Sequence, residues 1–175
     1  MRLLFLLFPV TVLFIGCAQK SEKIETTSIL MSYNNTESGE WTNLYNVKPY
    51  SNAHSGKSVA FIDSLTTYSL GYSNFMENIS KTKSDSVIFS YWAFLKNDKA
   101  MAKTVFSIDD KTSGKNIFWA GNPLKERVKE YNKWVKITET FKIPANINPK
   151  YFVSIYVWNN SKEEILLDDF SITFY

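Results

Sequence analysis

The 175-residue chain contains one cysteine, Cys17, and one histidine, His54. A single thiol excludes an internal disulfide, and a zinc site has neither the thiolate pair nor the imidazole pair it needs. A Ser-His or Cys-His nucleophile system has no base besides His54, which stands in the Ala53–Val59 loop and is assigned a structural place below, and no second cysteine to attack with, so classical hydrolase triads are effectively excluded. Arginine is equally scarce: Arg2 and Arg127 are the only two, and the lysines are scattered, giving a formal charge of +3 with no clustered basic face. That pattern lacks a nucleic-acid footprint. Internal repeats and low-complexity tracts are missing, and the 3.6-residue apolar period of helices is nearly absent.

At the start of the chain stand Arg2, an apolar run from Leu3 to Ile15, small Gly16, and then Cys17. The order is that of a secretory signal, and the run is shorter than the about 20 residues of a membrane span. It resembles a bacterial lipoprotein signal with its lipobox, which implies a diacylated Cys17 as the first mature residue. The polar stretch from Ala18 to Thr27 reads as a tether. The expected organisation is a signal at 1–16, a lipidated tether at 17–27 and one monomeric domain at 28–175. Membrane contact would run through the lipid alone, at the outer membrane or cell surface, with the periplasmic face left open.

Aromatic residues make up 16% of the chain and fall in strand-like runs. Alternation predicts strands at Ser28–Tyr33, Lys57–Asp63, Thr67–Tyr72, Asp85–Lys96, Lys103–Ile108, Asn116–Trp119, Lys133–Ile143, Lys150–Trp158 and Glu164–Phe174. Turn residues such as Asn97-Asp98, Gly121-Asn122-Pro123 and Asn159-Asn160-Ser161 separate them, and only Pro123–Tyr131 suits a helical turn. The fold class is therefore all-β, a two-sheet antiparallel sandwich or jelly roll. In Tyr151–Trp158 the aliphatic Val153, Ile155 and Val157 take one face, leaving Phe152, Ser154, Tyr156 and Trp158 for a groove. In the last strand, strict alternation puts Asp168 on the face of Leu166, Phe170, Ile172 and Phe174, where a carboxylate must be paired, hydrogen-bonded or metal-bound.

The ordered segments Asn34-Asn35-Thr36-Glu37-Ser38-Gly39-Glu40-Trp41, Ala53-His54-Ser55-Gly56-Lys57-Ser58-Val59, Trp134-Val135-Lys136-Ile137-Thr138 and Ile165-Leu166-Leu167-Asp168-Asp169-Phe170 resemble the galactose-binding-like jelly rolls, among them the carbohydrate-binding modules of bacterial glycanases. The likeness spans Ser28 to Tyr175. It implies a structural calcium held by Glu37, by backbone carbonyls near His54 and Lys57, and by Asp168. Glu40 is an alternative ligand, and capping of backbone amides by Asp168 is the alternative to a metal. It also implies that Trp134 packs in the core; Trp41 reads as structural.

Sugar recognition needs aromatic faces for the apolar side of a pyranose and a few polar groups for its hydroxyls. Trp92, Trp119, Tyr156 and Trp158 supply the first, and Asn159, with Asn160 and Asp109 beside it, the second. The expected function is a non-catalytic module that binds polysaccharide at the cell envelope. The alternative is a structural or adhesion lipoprotein whose partner is another envelope protein. A glycan-active enzyme would need two facing carboxylates, a property of the folded site that spacing does not reveal.

Overall fold

The computed structural model describes residues 30–37, 41, 46–79 and 84–175. The apolar leader, Cys17, the tether and Glu40 lie outside the described residues. Ten strands follow in order: β1 (Leu30–Asn34), β2 (Val47–Pro49), β3 (Ser58–Ile62), β4 (Tyr72–Phe75), β5 (Ser86–Leu95), β6 (Ala102–Asp110), β7 (Lys115–Pro123), β8 (Trp134–Lys142), β9 (Phe152–Asn159) and β10 (Ile165–Phe174). They form a six-stranded sheet of order β2-β3-β10-β5-β8, with β1 also paired to β10, and a four-stranded sheet of order β4-β9-β6-β7. All pairings are antiparallel, as a jelly-roll sandwich requires. The described residues also include a four-residue helix α1 (Met76–Ile79) and a 3-10 turn at Leu124–Glu126; the turn falls within the predicted helical segment.

Alternation explains why the sheets stack. Val87, Phe89, Tyr91, Ala93 and Leu95 of β5 point inward, as do Val153, Ile155 and Val157 of β9, and all are buried. Each fully buried large apolar side chain stabilises the fold by about 1.5–3 kcal/mol. At the centre Phe170 stacks on Phe89 and Tyr91 at centroid distances of 6.1 and 5.8 Å, and Trp41 packs on the same ring at 5.9 Å. The Tyr91 hydroxyl is 2.6 Å from that of Thr104 on β6, which satisfies both groups in the dry interior and joins the sheets. Glu139, on the inward face of β8, is buried too. It is held by Arg127 through Nε at 2.7 Å and a second nitrogen at 3.2 Å, and by the Asn122 amide of β7 at 2.7 Å. This ion pair closes the edge where β8 and β7 end the two sheets.

Strand β10 changes partners along its length. Ile165–Leu167 pair with β3 and Phe170–Phe174 with β1, while β5 stays on its other side. At the changeover Asp168 is opposite Trp92 and Ser171 opposite Ser90, so Asp169 and Phe170 share one partner residue. This bulge, with Asp169 at φ +50°, shifts the alternation by one. Leu167 is inward before it and Phe170, Ile172 and Phe174 are inward after it, whereas Leu166 and Asp168 face outward. The expectation that Asp168 shares the face of Phe170 is thus corrected: it is buried on the outer side, beneath the loop at residues 54–55.

One turn expectation and one strand expectation also differ. Gly121-Asn122-Pro123 is the end of β7 rather than a turn, because Asn122 reaches inward to Glu139 and Pro123 lies on an edge strand, where its missing N–H costs no ladder bond. The predicted Thr67–Tyr72 strand begins only at Tyr72, with Tyr68 making a single bridge to Trp158.

Candidate functional site

The outer face of the four-stranded sheet is built from cross-strand rungs, since residues directly opposite one another project to the same side. One rung runs Tyr68, Trp158, Lys103, Pro123. The next holds Tyr156, Val105 and Gly121, with Gly71 against Tyr156. A third places Ser73, Ser154 and Ser107 in line with Trp119. The last carries Phe75, Phe152, Asp109 and Asn116. Six aromatic side chains therefore stand on one face with a row of three serines among them. Trp119 is 45% exposed and Tyr68 54%, so their rings are open to solvent.

Local contacts fix these rings. A Cβ at Gly121 would run into the six-membered ring of Trp119, so the absent side chain is what lets the indole lie over β7. Burial, with Tyr68 nearby, raises the Tyr156 pKa despite the opposing influence of the Trp119 indole, so the phenol stays a neutral hydroxyl. Tyr68 meets Tyr156 edge-on at 5.6 Å and Phe75 meets Phe152 edge-on at 5.1 Å. Asp109 accepts from the Asn116 amide at 2.8 Å and from Ser107 at 3.3 Å. Aromatic faces beside hydroxyls and one carboxylate can stack a sugar ring and read its hydroxyl groups.

Of the residues singled out from sequence, Trp119, Tyr156 and Trp158 come together here. Trp92 does not: it lies on the outer face of the opposite sheet, and its ring is already covered by the His54 imidazole at 3.9 Å. Asn159 is fully buried, its oxygen accepting from the Ser161 amide and hydroxyl and its nitrogen donating to the Glu163 carbonyl, so it shapes the loop instead of facing a ligand. Trp134 is not in the core. Its indole N–H holds the Asn52 carbonyl at 2.8 Å on the outer face. Trp41, read as structural, is buried. Tyr68, Phe75 and Lys103 were not singled out as ligand contacts; Phe75 and Lys103 were legible only through register, and Tyr68 reaches the face from a loop.

The edge assigned to calcium gathers Glu37, the loop at 54–58 and Asp168. Glu37 Oε1 accepts the amides of Lys57 and Ser58, both at 2.7 Å, and these hold its carboxyl below the ordinary range. Asp168 accepts the amides of Ser55 at 3.0 Å and Asp169 at 2.8 Å, yet burial, the largest influence, still raises its pKa. The Lys57 carbonyl is taken by the Tyr50 amide. Thr36 Oγ1 instead approaches three acceptors, the carbonyls of Asn35 at 2.6 Å and Ser58 at 2.7 Å and Asp168 Oδ1 at 3.4 Å. One hydroxyl hydrogen cannot serve three acceptors. These four oxygens are the hard donors calcium takes, and Glu37 and water could complete its six to eight.

No family model matches the chain, and no curated protein matches it in sequence. Known structures do match. The CBM22-1 xylan-binding domain of Paenibacillus barcinonensis Xyn10C is 21% identical with a TM-score of 0.51, over 85% of this chain and 95% of its own. The CBM22-2 xylan-binding domain of the same protein is 14% identical with a TM-score of 0.53, over 82% and 99%. A CBM35 from Cellvibrio japonicus Abf62 is 9% identical at 0.51, over 82% and 92%. The described sandwich accordingly has the jelly-roll fold of carbohydrate-binding modules.

Proposed function

We propose that the protein is a non-catalytic polysaccharide-binding module, with the outer face of the four-stranded sheet as its platform, held at the cell envelope by a lipid on Cys17. The observation that carries this reading is the aromatic face itself: Trp119, Trp158, Tyr156 and Tyr68 surround a floor kept low by Gly71, Val105 and Gly121. The four rungs carry one carboxylate, Asp109, whereas glycoside hydrolysis uses a facing pair. Binding without bond cleavage suits that composition. Xylan, bound by the family 22 domains of like fold, is the first glycan to try.

Affinity electrophoresis of the full chain in mild detergent tests the reading, with Trp119→Ala and Trp158→Ala beside Trp92→Ala. Retardation by a glycan, lost in the first two variants and kept in the third, is expected; no retardation by a broad set of glycans overturns it. Anchoring is tested separately by Cys17→Ser, which should release the protein from membranes. A calcium ion at the Thr36–Asp168 edge is part of the same proposal and would stabilise the fold without touching the platform.

A further inference from the structure

Resting on that reading of the platform, we propose that its ligand is a polysaccharide bearing negatively charged substituents, carboxylate or sulfate, and that Lys103 contacts the charge. Lys103 stands in the middle of the aromatic face, its Nζ 5.7 Å from the ring centroid of Trp119 and 5.9 Å from that of Trp158. An ammonium within about 6 Å of two indole rings is attracted to their faces, which hold it over the platform. A sugar stacked on either tryptophan would meet that charge at its edge.

Beside Lys103 opens a recess of about 150 Å³ lined by Met101, Ala102, Lys103, Pro123, Lys125 and Asn160. A recess of this size suits a substituent group and not a second chain. Two of its six lining residues are lysines and none is acidic. Three lysines are paired with carboxylates, Lys48 and Lys96 with Glu164 and Lys133 with Glu130, and most of the other described lysines are not, so it is their place beside the tryptophans and the recess that sets Lys103 and Lys125 apart. Among the described residues no carboxylate pairs with Lys103, Lys125 or Lys111.

Lys111 marks the opposite end of the platform, its Nζ 4.7 Å above the Phe152 ring. Six residue steps along β9 take the chain from Phe152 to Trp158, about 20 Å at 3.4 Å per residue. Cations thus stand at both ends of the aromatic row. The carboxylate on the Phe152 rung, Asp109, is engaged by Asn116 and Ser107. An acidic polysaccharide lying along β9 would meet a cation at each end.

Titration calorimetry of the full chain in mild detergent tests this with three matched pairs: glucuronoxylan and its carboxyl-reduced form, polygalacturonate and its methyl ester, and a sulfated galactan and its desulfated form. At least one charged member should bind about tenfold or more tighter than its neutralised partner, a difference of about 1.4 kcal/mol. The pair that responds identifies carboxylate or sulfate. Lys103→Gln should abolish the difference, Lys103→Arg should keep most of it, and Lys142→Gln, on the far sheet, should leave it intact. Equal affinity for charged and neutral forms would overturn the charge inference and leave the platform standing. A preference that Lys142→Gln weakens as much as Lys103→Gln would overturn it in favour of diffuse attraction. Absence of binding by either form would overturn both.

Discussion

Asp169 and His54 meet side chain to side chain, Oδ2 to Nδ1 at 2.5 Å, across 115 residues of sequence. The same carboxylate accepts from the hydroxyls of Ser55 and Tyr33. Because Asp169 sits in the bulge of β10, these bonds fasten the 54–55 loop over the point where β3 gives way to β1. The loop in turn supplies the Ser55 amide that Asp168 needs, and lays the imidazole on Trp92. One residue in left-handed backbone therefore buries a carboxylate and blocks an indole face.

The acid stability of the fold should follow this pair. Burial raises the Asp169 pKa, but the donors Ser55, Tyr33 and His54 outweigh it and hold the carboxyl below its ordinary value of 3.8. Its contribution is thus present above about pH 4 and is lost as pH falls through the lower folded value. Asp168 has the opposite sign: its raised pKa makes protonation between that value and 3.8 favour the fold. Urea midpoints measured from pH 7 to pH 3 should fall steeply only below the ordinary carboxylate range. Asp169→Asn should cost about 2 kcal/mol at neutral pH and flatten the acid limb.

Arg127 and Glu139 give a second expectation. Removing one partner of a buried pair leaves an uncompensated charge, while replacing both with apolar residues is often nearly neutral. The Arg127 side chain is about half exposed and that of Glu139 only 3% exposed, so Arg127→Ala should lower stability chiefly by leaving the buried Glu139 carboxylate without its cation. The double variant Arg127→Met/Glu139→Leu should be more stable than Arg127→Ala in urea unfolding.

Gly121→Ala should act on binding more than on folding. Its methyl group would displace the Trp119 ring, which lies on the surface and can move. Glycan affinity should fall about tenfold, as for loss of a stacking contact, with the melting temperature nearly unchanged. Unaltered affinity would remove Trp119 from the platform.

The calcium proposal predicts a rise in melting temperature on adding the ion, since a ligand bound only to the folded state stabilises it. The rise should vanish with chelator, in Asp168→Asn and in Thr36→Val. An unchanged melting temperature in the unaltered protein would dismiss the site.

The sandwich and most strands were legible because β5, β8 and β9 alternate cleanly, burying every second residue. The outward set of β9 could be read directly, and it supplied half of the platform. What alternation could not give was any feature that depends on a break in it. The bulge at Asp168–Phe170 moves Asp168 to the other face, and no composition signal marks it, since the left-handed residue is an aspartate where a glycine would have been a cue. Trp92 resembled Trp158 in pattern, both being outward residues of long strands. Which sheet each faced from was a matter of strand order. Asn159 looked like a loop amide, and its burial follows from bonds to Ser161 and Glu163 that only the folded loop creates.

The most direct test of the platform is the indole N–H spectrum of the isotopically labelled chain during titration with a retained glycan, because the five tryptophans are placed distinctly. Trp119 and Trp158 should shift with the ligand, while Trp41 in the core and Trp92 and Trp134 on the far sheet stay in place. Shifts confined to Trp92 and Trp134, or none in Trp119 and Trp158 at saturation, would contradict the assignment.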